Sequence, residues 1–90
     1  MLILHVSTRF KRSFKRMPAH IKDDFAIKID QFKQHPFSKG LETHKLSGNL
    51  EEYYAFYLRN GFRVLFEFMG ENEVLLVNIG SHNDYKKWGK

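Results

Sequence analysis

The chain has 90 residues, enough for one hydrophobic core and too few for a second. Fifteen Lys and Arg against ten Asp and Glu give a formal net charge of +5, which favours polyanionic partners, either nucleic acid or an acidic protein. The absence of cysteine excludes a disulfide framework and a thiolate metal site.

The apolar start, Met1 to Val6, has no basic lead and is too short for a signal peptide or a membrane span, so a cytoplasmic protein without a membrane partner is expected. Residues 1–90 read as a single domain. Leu2 to Val6 is a first strand, and Ser7 or Thr8 caps the helix that follows. Within Thr8 to Met17, Phe10, Phe14 and Met17 draw one apolar stripe. Arg9, Lys11, Arg12, Lys15 and Arg16 occupy the rest of the circumference, a basic face suited to phosphate or to solvent. Pro18 breaks this helix and opens the next. From Ala19 to Gln34 a second stripe runs through Ile21, Phe25, Ile29 and Phe32, and His35-Pro36 ends it. The two stripes need a sheet to cover them.

Pro36 to Gly48 is rich in turn residues and reads mainly as a loop, carrying His44-Lys45-Leu46-Ser47-Gly48. Tyr53 to Phe68 reads as a β-hairpin around Arg59-Asn60-Gly61. A two-residue turn would leave the best apolar set of the first strand facing away from that of the second. A three-residue loop, with Arg59 and Asn60 in a type I turn and Gly61 left-handed, aligns Tyr54, Phe56 and Leu58 with Phe62, Val64, Phe66 and Phe68. The other face then displays Tyr53, Ala55, Tyr57, Arg59, Arg63, Leu65 and Glu67. Met69 to Asn72 is a turn, and Val74 to Ile79 suits an interior strand covered on both faces. Lys86, Lys87, Trp88 and Lys90 form a basic tail.

Five histidines occur without metal-ligand spacing, so no metal site is expected, and nothing in the sequence implies a cofactor. His44, Tyr57, Arg63, His82 and Tyr85 are the residues that can converge on the polar face of the hairpin. Two imidazoles and a guanidinium supply what metal-independent RNA cleavage needs: a base for the 2′-hydroxyl, a cation for the phosphorane and an acid for the leaving 5′-oxygen.

The order strand, helix, helix and three strands resembles the RelE/ParE superfamily of toxin-antitoxin toxins. So do His-Lys-Leu-Ser-Gly at 44–48, Phe-Arg-Val-Leu-Phe at 62–66 and Ile-Gly-Ser-His at 79–82, which look closest to the YafQ-like branch of RelE-type mRNA interferases. The resemblance implies an α+β fold with a four-stranded, mainly antiparallel sheet and a helical hairpin on one face. It implies an endoribonuclease that cuts messenger in the ribosome and is neutralised by a cognate antitoxin protein. His44 and His82 fall on proton-transfer positions, with His44 preferred as base and His82 as acid, and Arg63 falls on the phosphate clamp. Tyr57 stands where relatives carry lysine or histidine. Tyr85, or else Trp88, is the terminal aromatic that stacks on a base. Arg9, Lys11, Arg12, Lys15, Arg16, Lys45, Arg59, Lys86, Lys87 and Trp88 are the expected RNA and ribosome contacts. The rival readings are a ParE-like gyrase inhibitor without nuclease chemistry and a degenerate toxin that only binds its antitoxin.

Overall fold

The computed structural model describes residues 1–50 and 52–88; Lys90 of the expected tail lies outside them. The elements are β1 (Ile3–Val6), α1 (Thr8–Lys15), α2 (Ala19–Gln34), β2 (His44–Lys45), β3 (Tyr54–Tyr57), β4 (Arg63–Phe68), β5 (Glu73–Gly80) and α3 (His82–Trp88), with short 3-10 turns between some of them.

Each boundary has a local cause. The Ser7 hydroxyl accepts the Phe10 amide at 2.9 Å and donates to the Val77 carbonyl at 2.8 Å, so one side chain caps α1 and fixes it to β5. Pro18, at φ −58, stands at the N-cap of α2, just ahead of its first helical residue. The expected stripes face the sheet: Ile21 and Phe32 are fully buried, and Phe10, Phe14 and Phe25 meet at centroid distances of 5.2 to 5.8 Å, joining α1 to α2. Phe32 reaches the sheet at Phe56 and Phe66, at 4.7 and 4.8 Å. Full burial of such a ring contributes about 1.5–3 kcal/mol.

The sheet has five strands in the order β1-β5-β4-β3-β2, not four. The fifth strand is β2, inside the segment expected to be loop. Two exposed residues form it, and it exists because His44 and Lys45 pair with Ala55 and Tyr54. β1 pairs in parallel with β5, and the other pairings are antiparallel. β5 is therefore an interior strand, and a bulge opposite Leu65 and Phe66 resets its alternation. Val74, Leu76 and Ile79 face the main core, while Val77 joins a second cluster on the opposite face.

The hairpin has the expected register, Phe56 opposite Val64 and Tyr57 opposite Arg63, and Leu58 and Phe62 close a three-residue loop. Its conformation differs from the expected type I turn, because Asn60 is itself left-handed at φ 57, as is Gly61 at φ 76. Contacts with α2 account for this: the Arg59 amide donates to Asp24 Oδ2 at 2.9 Å, and Asn60 Nδ2 lies 3.2 Å from His20 Nε2. Asparagine tolerates that region better than most residues.

The expected tail is helical from His82 to Trp88, capped by Ser81 and Asp84 in a reciprocal box. The Ser81 amide donates to Asp84 Oδ2 at 2.9 Å, and the Asp84 amide to Ser81 Oγ at 3.2 Å. This helix covers the second face, where Leu46, Ala55 and Leu65 are buried and Tyr85 and Trp88 lie against them.

Because Gly61 is left-handed, Gly61→Val is expected to cost roughly 1 kcal/mol or more in urea unfolding. A mutant as stable as the parent would refute that constraint.

Candidate functional site

β4 places Arg63 directly opposite Tyr57 on one side and Gly80 on the other, with α3 starting two residues after Gly80. Arg63 is 8% exposed, buried rather than displayed. Its guanidinium carbon lies 4.9 Å from the centre of the Tyr57 ring and 4.8 Å from that of Tyr85, within cation–π reach of both. Its edges are also engaged. Nε and Nη2 donate to the Gly61 carbonyl at 3.2 and 3.0 Å, and Nη2 donates to His82 Nδ1 at 3.2 Å. Nη1 has no hydrogen-bond partner among the described residues. None of the ion pairs among those residues involves Arg63.

The two imidazoles present opposite nitrogens. His44 stacks on the outer side of Tyr57, with centroids 5.4 Å apart and planes at 26°. Its Nδ1 lies 3.1 Å from the Glu42 carbonyl, which can only accept, so Nδ1 carries the proton and Nε2 is left as an acceptor. Arginine can only donate, so His82 Nδ1 accepts from Arg63 and the neutral ring carries its proton on Nε2. All five residues singled out from the sequence, His44, Tyr57, Arg63, His82 and Tyr85, thus form one contiguous column. Trp88 extends it, 5.8 Å from Tyr85 and edge-on.

Two residues that sequence reasoning did not find flank the column. A cleft of about 430 Å³ beside Tyr57 and Arg63 is lined also by Lys28 and Glu42. Lys28 pairs with Asp24 at 3.2 Å, and Glu42 is left-handed at φ 51. The four-residue spacing of Asp24 and Lys28 is the only signal the sequence offers. The remaining basic residues do not converge here. Lys45 is exposed beside His44 on β2, Arg59 is exposed at the hairpin tip, and Lys86 is exposed on α3. Arg9, Arg12, Arg16 and Lys87 line a separate cleft between α1 and α3, to which Lys11 and Lys15 do not contribute.

Gly80 is what lets α3 close on this site. A Cβ there would lie 2.8 Å from the Asp84 side chain and 3.0 Å from the Trp88 ring. Gly80→Ala should therefore lift α3, at a cost of about 1–3 kcal/mol, and shift the emission of Trp88, the sole tryptophan, towards that of a solvated indole. Unchanged stability and emission would show that the helix is not seated through this contact.

No protein-family model matches the chain, and no curated protein sequence does. Solved structures do match. The YoeB/ParE toxin from Agrobacterium tumefaciens superposes with a TM-score of 0.74 at 16% identity, over 91% of this chain and 99% of that one. A chain of the RelB–RelE antitoxin–toxin complex from Methanococcus jannaschii gives 0.73 at 14% identity, over 93% and 96%. YafQ from E. coli strain BL21(DE3) gives 0.70 at 11% identity, over 94% and 98%. The chain shares its fold with these toxin structures.

Proposed function

We infer that the protein is the toxin of a toxin-antitoxin module and acts as an endoribonuclease on messenger in the ribosome, by metal-independent attack of the 2′-hydroxyl. The observation that carries this reading is Arg63: a cation taken out of water, clamped by two rings, without an ion-pair partner among the described residues. Removing a charge from water is costly unless it is compensated, and a phosphate oxygen at the Nη1 edge compensates it.

The two imidazoles support the division of labour. His44, with Nε2 as acceptor, takes the proton of the 2′-hydroxyl, and the 2′-oxygen attacks phosphorus to form the cyclic phosphate. Arg63 holds the charge that builds on the phosphorane. His82 donates from Nε2 to the departing 5′-oxygen as the imidazolium and is left as the neutral ring; its second proton, on Nδ1, requires that the contact with Arg63 be given up when the phosphate is bound. Tyr57 holds both His44 and Arg63 by its ring, which gives this position a part to play without a titratable lysine or histidine. The toxin folds it resembles, two of them found in RelB–RelE complexes, support a cognate antitoxin as partner; action on messenger in the ribosome would place the protein in the cytoplasm.

The test is primer extension on translated messenger with the purified protein, beside a gyrase supercoiling assay. Arg63→Ala should slow cleavage by about a hundredfold to a thousandfold, and Arg63→Lys should recover only part of that because an ammonium has no planar fork. His44→Ala and His82→Ala should likewise relieve growth arrest in cells lacking the antitoxin. Tyr57→Phe should keep most of the activity and Tyr57→Ala lose it, since the ring rather than the hydroxyl makes the contacts. If the alanine variants at 44, 63 and 82 all stay toxic and supercoiling is blocked, the gyrase reading replaces this one.

A further inference from the structure

The cleft beside Tyr57 and Arg63 holds two charged side chains that the cleavage chemistry does not use, Lys28 from α2 and Glu42 from the turn before β2. Its volume of about 430 Å³ lies within the range of about 300–1,000 Å³ typical of small-ligand sites, so a single nucleobase fits. Gly40 and Gly61 line it without side chains, and a Cβ at Gly61 would meet no atom within 4 Å, so that wall is open.

The two charged residues are held by different means. Lys28 is anchored by Asp24 at 3.2 Å, and Asp24 is itself fixed by accepting the Arg59 amide at 2.9 Å. An ammonium has three donors, so this pairing leaves others for a ligand. Glu42 is left-handed, at φ 51 and ψ 34, a region that a residue with a Cβ enters at a cost, and strain of this kind clusters at active sites and ligand clamps. Its carboxylate enters no ion pair among the described residues. The cleft thus presents one group that only accepts and one that only donates.

The same turn bears on which nucleotide reaches the cleft. The Glu42 carbonyl holds His44 Nδ1 at 3.1 Å, and His44 is the group assigned to the 2′-hydroxyl. His82 and Tyr85 approach Arg63 from α3 and do not line the cleft. The base that enters is therefore that of the ribose bearing the attacking 2′-hydroxyl, on the 5′ side of the cut. Guanine alone shows two adjacent donors, N1–H and N2–H, beside the acceptor O6 on its Watson–Crick edge. A carboxylate accepts from that donor pair with both oxygens while an ammonium donates to O6. Adenine and cytosine offer the carboxylate one donor next to a lone pair, and uracil one N–H between two carbonyls.

We propose that Glu42 and Lys28 select guanine at the nucleotide immediately 5′ of the scissile phosphate, Glu42 reading N1–H and N2–H and Lys28 reading O6. This selection rests on the nuclease reading and adds to it a preferred sequence.

The measurement is primer extension on four translated messengers that differ only in the base 5′ of the mapped cut. The parent should cut after guanine about tenfold or more faster than after any other base, the discrimination that a bidentate contact supplies. Inosine, which lacks only the 2-amino group, should lose most of that advantage. Glu42→Gln should level the four rates relative to one another, because an amide cannot accept at both ends, and Lys28→Met should lower the ratio of guanine to adenine. Glu42→Gly separates side chain from backbone. It suits the left-handed turn and should melt no lower than the parent, yet level the four rates as Glu42→Gln does. A Glu42→Gly protein that keeps the guanine preference overturns the proposal, since the turn alone then suffices. So do equal rates on the four messengers in the parent, or a guanine preference that Glu42→Gln leaves intact. A protein that cuts none of the four overturns the nuclease reading and this selection together, whereas cutting without selection overturns the selection alone.

Discussion

The parity of one tight turn decides what this molecule can be. With three residues between Leu58 and Phe62, Phe56 and Val64 share the face that meets the helices, and Tyr57 and Arg63 share the other. A loop shorter by one residue would move each side chain of one strand to the opposite face. Either a guanidinium would enter the phenylalanine core or phenylalanines would enter the candidate site. The tip is held accordingly: two consecutive left-handed residues make it, and the Asp24 carboxylate and the His20 ring tie it to α2. The helix that covers the core thus also sets the loop whose Gly61 carbonyl orients Arg63.

Arg63 itself shows how a small protein holds a cation without cancelling it. A carboxylate partner would offset the desolvation better than two ring faces, a carbonyl and a neutral imidazole nitrogen. It would also compete with any anionic ligand. The arrangement leaves the charge of Arg63 without an ion pair among the described residues. The second cluster of Leu46, Ala55 and Leu65 beneath α3 supplies apolar burial beside it.

Much of this was legible in the residues, and the misses have physical reasons. The helix stripes, the Ser7 cap, the Pro18 break and the hairpin register follow from periodicities and turn chemistry that act over a few residues. β2 could not be read, because two exposed residues, His44 and Lys45, carry no alternation and are a strand only through their partners. The parallel seat of β1 is likewise a tertiary fact. α3 was missed although Ser81 and Asp84 have capping-box spacing, because only Tyr85 and Trp88 mark its buried side. Once the register was right, His44, Tyr57, Arg63, His82 and Tyr85 converged as expected. Lys28 and Glu42 were not found because they come to that place from α2 and from the turn before β2.

The placement of β5 also governs how the molecule comes into being. It lies between β1 and β4, and its pairing with β1 joins residues as distant as Ile3 and Glu73. Contacts of such long sequence separation form slowly, because loop closure precedes any gain from them. A chain stopped before Glu73 would hold β1 and β4 with nothing between them, leaving the Ser7 hydroxyl without its Val77 acceptor and Arg63 without the strand that carries α3 to it. The seat of α1, the parallel edge of the sheet and the cover over Arg63 thus all depend on this one strand.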